Sequence, residues 1–183
     1  MNREGIILAA ADLFESKGYS ATSMRDLAEK VGLMPSSLYS HINSKQEILK
    51  EICMSCADLF TKGMEEILMK ADDPELQLQK LIMLHIETAY DHPSSIAVFN
   101  DDWRHLNEKD LVYFQKMRTQ YEKNFKEILI QGKKSHKFSF QNLEIVFVTI
   151  LSSFKWAYKG VDKFPKNLVI DELNHFILNA LKY

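Results

Sequence analysis

Glycine and proline are both scarce in this chain of 183 residues, at six and four respectively. That scarcity argues against a turn-rich β architecture and for helices. Cysteine is scarcer still: Cys53 and Cys56 form a C-x-x-C. A redox pair of that spacing accompanies a βαβ pattern, which is missing, and no second pair could complete a zinc site. The two read as small apolar side chains three apart on one helix face. The six histidines are scattered and no His-Glu-x-x-His occurs, so neither a metal centre nor a cofactor is expected. No run approaches the ~18 apolar residues of a membrane span, so no membrane partner is expected. The opening "MNREGIILAAADLFESKGYS" puts charges directly after a short apolar patch, unlike a secretion signal, and a cytoplasmic protein is the expectation. An excess of positive charge is also missing. Lys and Arg number 23 against 25 Asp and Glu, and Arg3, Lys17, Arg25, Lys30, Lys45 and Lys50 are matched by Glu4, Asp12, Glu15, Asp26, Glu29 and Glu47. A nucleic-acid reading must therefore come from local geometry, not bulk charge.

What remains is an ordinary globular composition, 46% apolar and 26% charged, long enough for one or two domains with a sizeable core. The periodicity predicts an all-α chain. Residues 3–17 carry Ile6, Ile7, Ala10, Leu13 and Phe14 at helical spacing, and Gly18 ends that helix. Ser23 with Asp26 reads as a capping box for a short second helix built on Met24, Leu27, Ala28 and Val31. Pro35 suits the first position of a third helix, with Leu38 and Ile42 facing inward. Ser44 with Glu47 caps a long fourth helix running through Leu68. The stretch "ADDPE" (71–75) is a joint, and further helices are expected over about 76–90, 95–106, 107–132, 143–158 and 167–182. The run "EIVFVTIL" could be a strand if taken alone. The length of its segment and the lack of turn signals before Gly160 favour a buried helix.

The second and third helices, joined by a tight Gly32 turn, make a helix-turn-helix. Such a motif exposes short polar side chains to a groove while its other face packs behind. Leu38 and Ile42 would pack; Pro35, Ser36, Ser37, Tyr39 and Ser40 would face outward. The stretch "ILAAADLFESKGYSATSMRDLAEKVGLMPSSLYSHINSKQEILKEI" closely resembles the N-terminal domain of TetR-type transcriptional repressors. It repeats their elements in order: Ala9-Ala10-x-x-Leu13-Phe14, Gly18, Thr22, Leu27-Ala28, Gly32, Leu38-Tyr39, His41 and Ser44-Lys45. The resemblance implies an all-α homodimer with a DNA-binding domain over residues 1–46 and a helical ligand-binding and dimerisation domain over 47–183. It also implies a double-stranded DNA operator as partner, a small-molecule inducer, and no enzymatic activity. Ser36 and Ser37 would reach base edges. Tyr39 and His41 would donate to phosphates, Lys45 would seat one at the start of the fourth helix, and Thr22, Ser23 and Arg25 would form a second seat. Tyr39 could instead be a partly buried core aromatic, and Ser23 and Ser44 cap helices in either case. Two features depart from the family pattern. Met34 replaces the small polar residue usual at that N-cap, and the residues before the first helix leave no room for a basic arm.

Family members dimerise through their last two long helices, and here 143–158 and 167–182 fit that role. Two reading helices would then sit ~34 Å apart on a pseudo-palindrome. The stretches "DDWRHLNEKDLVYFQKMRTQYEKNFKEILIQG" and "ILSSFKWAYKG" are more loosely similar to a TetR branch that senses acyl-CoA thioesters. Most of the aromatic residues there are core. Phe99, Trp103, Arg104, Tyr113, Met117, Tyr121, Phe147 and Phe154 are the candidates for a ligand cavity, with Arg104, Arg118 and Lys155 as cations for a phosphate or thioester. Two other readings stay open: a constitutive or architectural DNA-binding protein without a ligand, and an enzyme. The second has against it that no nucleophile–base pair, phosphate-cradling glycine loop or metal constellation is present.

Overall fold

The computed structural model describes residues 2–160 and 163–182, and every element in them is helical. In chain order these are α1 (Arg3–Lys17), α2 (Met24–Lys30), α3 (Pro35–Tyr39), α4 (Lys45–Lys70), α5 (Pro74–Asp91), α6 (Pro93–Asp101), a 3-10 turn (Trp103–His105), α7 (Glu108–Lys134), α8 (Leu143–Lys155), α9 (Ala157–Gly160) and α10 (Lys166–Leu181). The all-α expectation holds. Three elements differ from their expected extent. The third helix stops at Tyr39, because the N–H groups of Ser40 and His41 turn back to the carbonyls of Ser37 and Leu38 and tighten the chain. The segment 95–106 is a helix followed by a separate 3-10 turn. The segment 143–158 breaks at Trp156, which caps α8 before α9 begins. The connection expected over 160–167 contains Val161 and Asp162, which lie outside the described residues.

The chain divides into two compact units. The first holds residues 1–57 and 94–115, the second 58–93 and 116–183. In the first, Ile6, Ala10 and Phe14 of α1, Leu27 of α2, Leu38 of α3 with Ile42 beyond it, and Ile48, Leu49 and Ile52 of α4 are buried together with Val98 of α6. Phe14 meets Tyr19 edge-on at 5.1 Å, and Tyr19 in turn stacks on His105 at 5.2 Å. Polar ties bind the returning segment 94–115: Gln46 Nε2 donates to the His105 carbonyl (2.6 Å), and Lys50 pairs with Asp110 (2.8 Å). Cys53 and Cys56 are free thiols, both buried, as the packing reading of C-x-x-C expects.

In the second unit, α5 packs against α8, α9 and α10. Leu78, Leu81, Ile82 and Ile86 of α5, Phe125 and Ile128 of α7, Ile150 and Phe154 of α8, and Ile177 and Leu181 of α10 form the core. The end of α7 is closed by a turn in which Lys137 and Phe138 both donate their N–H to the Gly132 carbonyl. Lys137 pairs with the α5 N-cap Asp73, and the N–H of Ser139 reaches the Leu181 carbonyl at 2.6 Å. That turn lays the buried Phe138 ring directly over Gly132, where an added methyl group would run into the ring. Gly132→Ala should therefore destabilise the protein by about 1–3 kcal/mol despite alanine's better helix propensity. A thermal melt of wild type and variant checks this; an unchanged or raised midpoint contradicts the packing described.

Candidate functional site

Local chemistry builds the helix-turn-helix from its caps. Ser23 and Asp26 form a full capping box: the Asp26 N–H donates to Ser23 Oγ (3.1 Å), and the Ser23 N–H donates to Asp26 Oδ2 (2.7 Å). Asp26 also takes Lys17 Nζ at 2.9 Å, and Lys17 first, then Ser23, hold its carboxyl well below the usual range. Gly32, at φ 68°, makes the left-handed turn that closes α2, with the Leu33 N–H reaching back to the Ala28 carbonyl (2.9 Å). α3 then starts on Met34 and Pro35 without a side-chain cap.

Leu38 and Ile42 are fully buried, so the rest of this segment faces outward. Pro35, Ser36, Ser37, Tyr39, Ser40 and His41 are all exposed, Tyr39 by half. No acidic or basic residue lies in α3. Arg25 is exposed and has no hydrogen-bond or ion-pair partner among the described residues. Two of the expected phosphate contacts are placed elsewhere. Thr22 is 3% exposed, and its hydroxyl donates to the Gly18 carbonyl (2.9 Å), so this side chain does not reach the surface. Lys45 Nζ donates to the carbonyls of Tyr19 (2.7 Å) and Thr22 (2.8 Å) and sits 4.3 Å from the centre of the Tyr19 ring. Its charge gathers the α1–α2 loop.

Arg3 was counted in the sequence only as one cation among balanced charges. Its guanidinium donates to the His41 carbonyl (2.6 Å), Glu47 (2.7 Å) and Glu51 (2.5 Å), tying the end of the α3 segment to α1 and α4. Glu47 also accepts from the Asn43 N–H (3.0 Å), one residue before the Ser44 expected to complete its box. That bond first, then Arg3, keeps the Glu47 carboxyl below its ordinary value.

The eight ligand candidates divide between the units. In the first, Trp103 stacks on Phe114 (5.5 Å) with Phe99 edge-on to the same ring, Arg104 lies over Trp103 (4.5 Å), and Tyr113 is exposed. In the second, Phe147 meets Phe125 edge-on (5.5 Å), Met117 is half-buried, and Tyr121 and Phe154 converge on His85. Of the other cations, Arg118 pairs with Glu122 (2.7 Å) and Lys155 is exposed. His85 was not anticipated. Its ring lies between Phe60 (4.6 Å) and Phe154 (4.5 Å), and its Nε2 shares a 2.7 Å hydrogen bond with the Tyr121 hydroxyl. Burial pushes the His85 pKa down from 6.5 to about 3 and the Tyr121 pKa up. A polar residue within the Leu78, Leu81, Ile82, Ala89 stripe of α5 was the available signal.

A three-helix reader followed by a helical second part is the architecture of a family of bacterial regulators. Residues 6–52 match the model of bacterial regulatory proteins of the tetR family, and residues 71–159 match the tetracyclin repressor-like C-terminal domain. Together they cover about three-quarters of the chain, and the chain belongs to the TetR family. It is 29% identical over 138 residues to the HTH-type transcriptional repressor KstR2 of Rhodococcus jostii strain RHA1. That alignment takes in 74% of this chain and 67% of the relative; the KstR2 proteins of Mycobacterium tuberculosis and Mycolicibacterium smegmatis are spanned over 66% and 64% of their length. Among solved structures, the ketosteroid transcriptional regulator KstR2 of Mycobacterium tuberculosis superposes with a TM-score of 0.89 at 22% identity, over 99% of this chain and 95% of that one. AibR, solved in complex with isovaleryl coenzyme A and operator DNA, gives 0.82 at 18% identity, over 96% and 97%. Both share the fold.

The His85 environment has a consequence for stability. Unfolded, this imidazole takes up a proton near pH 6.5; folded, it stays neutral until about pH 3. The unfolded state therefore binds more protons below 6.5, and stability falls as pH drops through that window. Between pH 7 and 5 this one group should remove at most about 2 kcal/mol. In His85→Phe, which keeps the ring stack, the loss measured by denaturant titration at both pH values should shrink by about that amount. An identical loss in both proteins contradicts the assignment.

Proposed function

We propose that the chain is a ligand-responsive transcriptional repressor that binds a pseudo-palindromic operator as a homodimer and is released by a small apolar or acyl-CoA-type ligand. The observation that carries this is the outward face of α3 and the turn after it: hydroxyls, an aromatic and an imidazole, without a carboxylate to repel phosphate, over a buried Leu38 and Ile42. Ser36 and Ser37 contact base edges; Pro35, Ser40, Tyr39 and His41 lie beside them, and Ser23 and Arg25 meet the backbone. DNA reading belongs to residues 1–46, and ligand binding and dimerisation to 47–183.

Support for the dimer comes from Ile145 and Val148 on α8 and Leu168 and Phe176 on α10, which are 66%, 55%, 47% and 67% exposed. A row of large apolar side chains at helical spacing fits a second copy of the chain better than water. Support for the ligand class comes from the aromatic cluster of the second unit, with Met117, Tyr121, Phe147 and Phe154, and from AibR, whose solved complex holds isovaleryl coenzyme A. Relatives named KstR2 are repressors, which supports the sign of regulation.

A mobility-shift titration on the DNA upstream of the chain's own gene tests this reading. A specific, salt-sensitive complex is expected, weakened by an acyl-CoA series and lost in Phe176→Asp, which sediments as a monomer. No specific complex, or a monomeric wild type that binds unchanged, overturns it. The two cations separate in the same assay. Arg25→Ala should reduce the slope of log affinity against log salt by about one, as loss of a phosphate contact does. Lys45→Met should leave the slope unchanged and lower stability by about 1–3 kcal/mol, because two loop carbonyls lose a charged donor.

A further inference from the structure

We propose that Met34 is a base-reading side chain that receives the 5-methyl group of a thymine in the operator. This rests on α3 being the reading helix. Met34 occupies the N-cap of α3, with extended backbone (φ −67°, ψ 143°) and no side-chain hydrogen bond to the helix it precedes. Ser, Thr, Asp or Asn would satisfy an N–H there, and Met forgoes that bond. Packing offers no compensation, because the side chain is 71% exposed while Leu38 and Ile42 are fully covered. Neither helix stability nor the core of the first unit accounts for a thioether at this position.

Its place accounts for it. The N-terminal residues of a reading helix are those that meet base edges in the major groove. The four bases are told apart there by an arginine or lysine on guanine, a carboxamide on adenine, a carboxylate on cytosine and an apolar contact on the thymine methyl. From Met34 to His41 this segment reads Met-Pro-Ser-Ser-Leu-Tyr-Ser-His, with none of the first three groups. Hydroxyls serve as donor or acceptor to several bases and discriminate weakly. Met34, with the exposed Pro35 ring beside it, is the outward apolar surface at the entering end. An unbranched, polarizable side chain adapts its shape to a methyl group without a fixed rotamer. The selectivity of this reader therefore includes a thymine recognised by its methyl, once in each half-site.

The test begins by selecting duplexes from a random pool with the full-length chain. Each thymine of the selected half-site is then replaced by deoxyuridine, which removes only the 5-methyl group. At one position per half-site, wild type should lose about fourfold in affinity, the worth of one buried methyl. Met34→Ala and Met34→Ser should show no loss at that position, and Met34→Leu should keep it. Met34→Ser should also melt at a higher temperature than wild type, since it restores the cap, which shows that loss of discrimination is not loss of fold. An operator bound equally well with thymine and deoxyuridine at every position overturns the role of Met34 alone. So does a deoxyuridine penalty that persists in Met34→Ala. A chain that selects no sequence at all overturns the reading of α3 and this inference with it.

Discussion

A helix of five residues cannot hold itself together. Nucleating a turn costs more than one or two hydrogen bonds return, and α3 has neither length nor a side-chain cap to offset that cost. Its shape must be imposed from behind, by packing on α2 and by burying Leu38 and Ile42 in the core of the first unit. The rest of the first unit follows from this requirement. Gly32 sets the angle of entry, Arg3 fixes the exit by holding the His41 carbonyl, and Lys45 gathers the loop between α1 and α2. What faces outward is free to be chemically varied because nothing outward supports the fold.

The same division explains why bulk charge is a poor guide to this protein. The net charge is −2, yet many cations of the first unit do internal duty: Lys17 on Asp26, Arg3 on Glu47 and Glu51, Lys50 on Asp110, Lys45 on backbone carbonyls. These exposed or half-exposed pairs contribute little free energy each. Their value is geometric, since they join α1 to the start of α4 and α4 to the start of α7.

Much of this was legible beforehand where the signal is local. The span 3–17, the Ser23–Asp26 box, the Gly32 turn and the inward pair Leu38 and Ile42 all depend on neighbours three or four residues away, and all are found. The misses share a cause in distance along the chain. Arg3 lies 44 residues from Glu47, and Lys45 lies 26 from Tyr19, so no spacing rule could join them. Lys45 has the type and position of a phosphate seat, and only the folded loop shows its donors occupied. Thr22 is a local case: its buried hydroxyl serves the Gly18 carbonyl four residues back, at the end of α1. The break at Trp156 was hidden because apolar periodicity continues across it, and the lie of its ring against Gly160, four residues on, is set only once the chain has turned there. His85 is a different case: a polar residue inside an apolar stripe was visible, and passed over among scattered histidines.

Cys53 and Cys56 sit on the buried side of α4, where burial pushes both thiols up, Cys56 to about 12. Only the thiolate is nucleophilic, so in the closed fold neither sulfur meets an alkylating reagent or an oxidant in reactive form. Each becomes reactive only when the surrounding helices separate. The pair thus acts as a clock for opening of the first unit: the rate at which the chain is labelled reports how often that core comes apart. A spacing that resembles a redox motif on paper is, in the folded chain, an internal gauge of its own integrity.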